Sequence, residues 1–171
     1  MAKAPYPIIP IEEALSLKDV EDDVVVINRS AAVVKGGRRF SFSALSVVGN
    51  RQGYVGIGFG KAKEVPSAIE KSVKDGRKRL MRVTRKGTSI PHAVEGVFCS
   101  SRVRLIPAAP GTGIIAGKPV RKVLEHAGIK DILTKNYGST NAINVTKATL
   151  VALAQLRDQE TIESLRGVKI S

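Results

Sequence analysis

Cysteine and aromatic side chains are nearly missing from this chain. It has one cysteine (Cys99), no tryptophan, three tyrosines and four phenylalanines. A single cysteine excludes an internal disulfide framework and fits a reducing cytosol. So few aromatics exclude base stacking as the main way to hold a nucleic acid, and leave phosphate and shape contacts for that task. No apolar run approaches the roughly 18 residues that a membrane span needs. Residues 1–10 lack the basic start and apolar centre of a signal peptide. Acidic residues are scarce as well, 15 against 28 Lys and Arg, for a formal charge of +13.

That charge is unevenly placed. Residues 1–23 hold six of the acidic side chains and two of the basic ones, Lys3 and Lys18, so residues 24–171 carry 26 cations against nine acids, or +17. A folded body this basic repels itself unless a polyanion screens it, and a nucleic acid is the first candidate, ahead of an anionic membrane surface.

The chain is organised around residues 33–61, VVKGGRRFSFSALSVVGNRQGYVGIGFGK. Phe40, Phe42, Ala44, Ser46 and Val48 alternate with Ser41, Ser43, Leu45, Val47 and Gly49, a period of two with apolar bias on both faces, as in a strand inside a sheet. Asn50-Arg51-Gln52-Gly53 supplies a tight turn. In the following strand Val55, Ile57 and Phe59 share one face, and Gly56, Gly58 and Gly60 the other. A bare glycine face is weak by itself and implies that something comes close to that backbone. With Lys35, Arg38, Arg39, Arg51, Lys61 and Lys63 around the hairpin, a phosphate backbone is the expected visitor.

Before this stretch, residues 1–10 read as an extended tail with three prolines, 11–18 as a short helix, and the acidic 19–23 as a solvated connector rather than a metal site. Residues 24–34 read as a first strand, irregular over 28–32. After it, 64–82 read as a helix with Pro66 in its first turn and an apolar stripe of Val65, Ile69, Val73, Leu80 and Met81. Lys71, Lys74, Arg77, Lys78 and Arg82 load its other side. Residues 83–89 look like a linker, and 90–98 with 102–106 like a hairpin turning at Cys99-Ser100-Ser101. A proline- and glycine-rich loop over 107–118 leads to a helix over 119–127, which Gly128 stops. A strand over 129–134, a turn over 136–140 and a helix over 142–156, capped by Asn141, complete the series. Residues 157–171 read as a polar tail with a short helix over 160–165. The fold class is α+β: a three-stranded sheet plus helix over 24–86, then a β-β-α-β-α domain over 87–156, flanked by tails 1–23 and 157–171.

The glycines do not make a nucleotide site. A P-loop needs glycine five residues before its Gly-Lys glycine and a hydroxyl after the lysine, where this chain has Val55 and Ala62 around Gly60-Lys61. The dinucleotide pattern begun by Gly56-Ile57-Gly58 needs glycine at Lys61. In GTGIIAGK, Lys118 stands seven positions after Gly111, one too many, and Pro119 replaces the hydroxyl. Gly117-Lys118 before a helix can still present amides and a cation to a phosphate. The two histidines, His92 and His126, and Cys99 have no spacing that suggests a catalytic pair or a zinc site. No enzyme, metal, cofactor or small-molecule substrate is expected.

The motifs INRSAAVVKGGRRFSFSALSVVGNRQGYVGIGFGKAKEVPSAIEKS and PAAPGTGIIAGKPVRKVLEHAGIKDILTKNYGSTNAINVTKATLVAL resemble the bacterial small-subunit ribosomal protein S-five family, in order and spacing, over residues 24–156. The resemblance implies a first domain of the double-stranded-RNA-binding type and a second, non-catalytic α+β domain. It implies a cytoplasmic, ribosome-bound structural protein that binds 16S rRNA where the head of the small subunit meets its body. The implied neighbours are ribosomal proteins four and eight and the mRNA entry region, with links to translational accuracy and, through the loop 28–38, to spectinomycin. In that loop Arg29, Lys35, Gly36, Gly37 and Arg38 match the family, while Ala31 and Ala32 replace its common serine and lysine. Tyr54 stands where a basic residue is common, and Lys118-Pro119 replaces Gly-Ala. Charge and resemblance together name an rRNA-binding set of Arg29, Lys35, Gly36, Gly37, Arg38, Arg39, Arg51, Gly56, Gly58, Lys61, Lys63, Lys71, Lys74, Arg77, Lys118 and Arg121.

Overall fold

A computed structural model of the chain describes residues 5–10, 13, 14, 17 and 19–169. The helix expected over 11–18 falls largely outside the described residues. Among those described, the fold is mixed α+β with two four-stranded sheets and four helices.

The first sheet is an antiparallel meander of β1 (Glu21–Val34), β2 (Gly37–Gly49), β3 (Tyr54–Ala62) and a two-residue β4 (Met81–Arg82), with α1 (Val65–Arg77) between the last two strands. The turn after β2 forms as its residues suggest. Asn50 Oδ1 accepts the N–H groups of Gln52 and Tyr54 at 2.8 and 3.1 Å, and Arg51 and Gly53 take positive φ. Residues 44–49 of β2 are buried, so both faces of the strand are covered.

Register separates those two faces. Ala44, Ser46 and Val48 stand opposite Gly60, Gly58 and Gly56 and face α1, while Leu45 and Val47 face the second half of the chain. The visitor to the glycine face is therefore α1. A Cβ at Gly56 would lie 2.7 Å from the Gly76 carbonyl oxygen, and one at Gly58 or Gly60 would overlap the carbonyls of Ser72 or Ala68. The helix meets this floor with its own small residues, Ala68, Ser72 and Gly76, at intervals of four. Val65, Ile69 and Val73 flank the contact half-buried, which corrects the expected stripe. Ser46 and Ser72 bond through their hydroxyls at 2.6 Å. Since Ser72 Oγ donates to the Ile69 carbonyl at 2.7 Å, the proton between the two hydroxyls belongs to Ser46. α1 ends at Arg77, five residues before the expected boundary, and Leu80 and Met81 are buried beyond it.

The second sheet has the order β5-β6-β8-β7, built from β5 (Val94–Phe98), β6 (Ser101–Pro107), β7 (Ile114–Ile115) and β8 (Ile132–Gly138), with β7 parallel to β8 and the other pairs antiparallel. α2 (Lys118–Ala127) links β7 to β8, α3 (Ala142–Ala154) follows, and an exposed α4 (Gln159–Arg166) comes last. Val120, Val123, Leu124 and Ala127 of α2 are fully buried and Gly128 caps the helix in the left-handed conformation, both as the sequence suggests. Asn141 Oδ1 accepts the Ile143 N–H at 3.0 Å at the start of α3. That helix buries a wider face than its apolar spacing indicates, with Val145, Ala148, Leu150, Ala152 and Leu153 inside together with Thr146 and Thr149, whose hydroxyls bond back to carbonyls four residues earlier. β8 starts three residues later than expected and runs through the predicted turn to Gly138.

The two sheets share one core. Leu45, Val47, Val55, Ile57 and Met81 of the first lie in the same apolar cluster as Val103, Leu105, Val120, Val123 and Leu124. Each such side chain contributes about 2 kcal/mol relative to exposure. Polar groups close the seam: the Arg51 N–H donates to the His126 carbonyl at 3.0 Å, and Arg85 donates to the carbonyls of Gln52 at 2.9 Å and Gly128 at 3.3 Å. The acidic connector is part of this seam. Glu21 and Asp23 lie in β1, paired with Arg51 at 2.6 Å and Lys122 at 2.5 Å. The N-terminal stretch is also docked. Tyr6 is buried in the shared core, which pushes its phenol up to about 12, and the Ile9 N–H donates to the Leu80 carbonyl.

Candidate nucleic-acid interface

The most exposed part of the first sheet is an arm. β3 stops pairing at Phe42, while β1 and β2 continue together from Ser30↔Ser41 to Val34↔Gly37. Five residue pairs of two-stranded ribbon thus project about 17 Å at the usual rise per residue. The residues expected to form an irregular loop are regular strand, paired as Ala31↔Phe40 and Ala32↔Arg39. The only turn is at the tip, Lys35-Gly36, and all of 28–41 is exposed. Register places Arg29 and Arg38 on one face with Phe40, where the Arg29 guanidinium lies 4.7 Å from the ring centre, and Arg39 on the other with Ser30 and Ser41. Val33, at the tip, is 80% exposed. A two-stranded ribbon with no third strand is marginal in water, so the arm's form suits a surface that a partner covers.

At the root of the arm is a second basic group. An open cleft of about 580 Å³ lies at the start of α1, lined by Ser41, Lys61, Lys63, Glu64, Ser67 and Lys71. The helix start has no side-chain cap and no acid in its first turn, although Glu64 occupies the N-cap position. Unpaired amides and the positive end of the helix dipole therefore add to three lysines there. Lys74 and Arg77 extend the exposed cations along α1. Ser41 and Ser67 were not in the predicted set, because nothing in a sequence marks a serine that only the hairpin register brings to a helix start.

The other predicted residues lie elsewhere. Gly56 and Gly58 are buried beneath α1, which removes both from the open surface, while Arg51 lies in the β2–β3 turn, away from the arm, with its side chain exposed and paired with Glu21. Lys118 and Arg121 are exposed on the first turn of α2, far along the chain from the arm, and Arg121 Nη2 donates to the Ile114 carbonyl at 3.2 Å. The loop before them is locked by Asp131. Its Oδ1 accepts the N–H groups of Gly111 and Gly113 at 2.9 and 3.0 Å. The Gly113 N–H, then the Thr88 hydroxyl and the Gly111 N–H, hold this carboxyl below the usual carboxylate range. A depressed carboxyl stabilises the fold above its unfolded value near 3.9, and that contribution is lost as pH falls through the lower folded value.

Among the described residues no group of three or more His, Cys, Asp or Glu is placed to hold a metal ion. His126 is buried at the seam with Nε2 3.7 Å from Asp23 and Nδ1 without a hydrogen-bond partner among the described residues. Burial holds its imidazole below the ordinary value, and Asp23 offsets only part of that effect. Cys99 is exposed in the β5–β6 turn. No helix among the described residues is long and apolar enough to cross a membrane.

Fold and charge define a class: a basic two-domain α+β protein that presents cations on a rigid frame and on a projecting ribbon. Family models match both halves of the chain. Residues 20–84 match the N-terminal domain of ribosomal protein S5 and residues 96–166 match its C-terminal domain. The chain belongs to the ribosomal protein S5 family. Membership makes it a structural, non-enzymatic constituent of the ribosome, with ribosomal RNA and other ribosomal proteins as partners.

Proposed function

We propose that this chain is a cytoplasmic structural component of the bacterial small ribosomal subunit, binding 16S rRNA by phosphate and shape contacts near the head–body junction. In this reading the first sheet with α1 is a double-stranded-RNA-binding type of domain. The observation that carries it is the exposed ribbon with Arg29, Lys35, Arg38 and Arg39, rooted beside the lysine-lined start of α1. Cations on a projecting ribbon reach into a groove that a flat surface cannot enter, and neutralising phosphates there releases counterions. Gly36, Gly37, Ala31 and Ala32 keep the ribbon thin, and its charge rests on Arg29, Lys35, Arg38 and Arg39. The second domain, with Lys118 and Arg121 at the start of α2, meets neighbouring proteins four and eight. Together these contacts support assembly, the mRNA entry region and translational accuracy.

The test is the salt dependence of binding to an rRNA fragment. Each phosphate contact contributes roughly 0.7 to 0.9 to the slope of log K against log salt. Arg38→Ala with Arg39→Ala should lower the slope by about 1.5 while leaving thermal stability unchanged. An unchanged slope would remove the arm from the interface.

A further inference from the structure

One face of the second sheet lies under α3, and no described element covers the other. Register orders that open face into rows across the strands. Ile115 stands beside Leu133 at one end. In the middle row Arg104 stands between Glu95 and Lys135. Tyr137 stands beside Arg102 at the far end, with Val97 next in the row. Ile115, Val97 and Tyr137 are 54%, 50% and 44% exposed.

The central row holds two cations and one carboxylate, and that carboxylate is engaged by the next row. Arg102 is paired with Glu95 at 3.1 Å, but neither Arg104 nor Lys135 has an ion pair among the described residues. Like charges directly opposite each other on adjacent strands destabilise a sheet. Solvent and salt screen part of that repulsion, and a negatively charged partner would relieve what Glu95 leaves between Arg104 and Lys135. The flanking rows decide between the two kinds of polyanion. Tyr137 offers a ring and a hydroxyl, but Ile115, Leu133 and Val97 offer a phosphate no donor and a base no stacking plane, so an RNA backbone would leave these three wet or poorly packed. A protein segment with carboxylates between apolar side chains meets both the cations and the aliphatic rows.

We propose that this open sheet face docks an acidic amphipathic segment of a neighbouring ribosomal protein, its carboxylates on Arg104 and Lys135 and its apolar side chains on Leu133, Ile115 and Val97. The inference rests on the ribosomal reading and adds the surface and the chemistry of the partner.

The test uses the full chain with a photoreactive leucine analogue at Leu133, assembled into small subunits. Incorporation of the unsubstituted chain is checked first, and its failure would overturn the ribosomal reading and this proposal together. With incorporation established, irradiation should yield a nuclease-resistant adduct to one protein, mapping to a peptide with at least two carboxylates among apolar residues. A nuclease-sensitive adduct would make the face an RNA site and overturn the proposal, as would the absence of any adduct. Arg104→Glu with Lys135→Glu should lower adduct yield about tenfold. Arg104→Gln with Lys135→Gln separates binding from folding: it should make the free chain slightly more stable yet still reduce the adduct. Unchanged yield in both variants would overturn the role of the cations.

Discussion

Two sets of glycines stand on one three-stranded meander, at the β1–β2 tip and along β3, and do opposite work. Gly56, Gly58 and Gly60 lie under α1, where any side chain would strike helix backbone. Gly36 and Gly37 lie at the tip of the arm, with nothing within 4 Å of the position a Cβ would take. The first set lets a helix sit directly on a sheet, with serine hydroxyls bonding across the contact. The second lets a ribbon turn sharply in open space. A glycine-rich strand thus announces close approach without saying what approaches. Here the nearer claimant is the chain's own helix, which follows within a few residues and has its own small stripe.

The largest expected effect falls on the buried set. Gly58→Ala forces strand and helix apart and should cost about 3 kcal/mol, seen as a fall of roughly 10 °C in Tm for a chain of this size. A wild-type Tm would mean that α1 does not rest on this face. Ser72→Ala comes next, at about 2 kcal/mol, because it leaves the Ser46 hydroxyl buried without an acceptor. Ser46→Ala should cost about half as much, since Ser72 keeps its bond to the Ile69 carbonyl. Equal losses in denaturant titrations would contradict the assigned proton direction.

A smaller effect lies at the seam. The His126 imidazole is held below 6.5 by burial, so the unfolded chain binds its proton first as pH falls. Stability should therefore decline as pH drops below about 6.5 and level off below the folded value. His126→Gln should flatten that part of the stability profile; a slope that persists would assign it to another group. The smallest effect belongs to the arm tip. Gly36→Ala should change stability by less than about 0.5 kcal/mol, and a larger loss would show that the tip packs on something.

How much could be read in advance follows from the range of each interaction. The turn at Asn50–Gly53, the α2 face of Val120, Val123, Leu124 and Ala127, and the Asn141 cap were legible because each depends on residues within one or two turns. The end of α1 was not, because apolar Leu80 and Met81 continue a helical spacing while in fact they enter the shared core beyond the helix. The arm's cations were legible as charge. Its ribbon form was missed because small and polar residues over 28–32 have weak strand preference, and cross-strand pairing with 39–43 overrides it. The open face of the second sheet went unseen although Arg102 and Arg104 alternate with buried Val103 and Leu105, a period of two that marks one wet and one dry face.

The sequence by itself determined that this is a basic α+β chain with few aromatics, organised on a glycine-rich hairpin, and its two long motifs were enough to point to its family. Those are properties of composition and local order, which need no distant partner. Only the tertiary structure decided what lies on the glycines, which acids neutralise which cations, and that both sheets share one core. Lys122 meets Asp23 across 99 positions of chain and Arg85 bridges Gln52 to Gly128. Contacts at that separation depend on how whole elements pack, so the same lysine or glycine is an open contact in one place and a buried fitting in another.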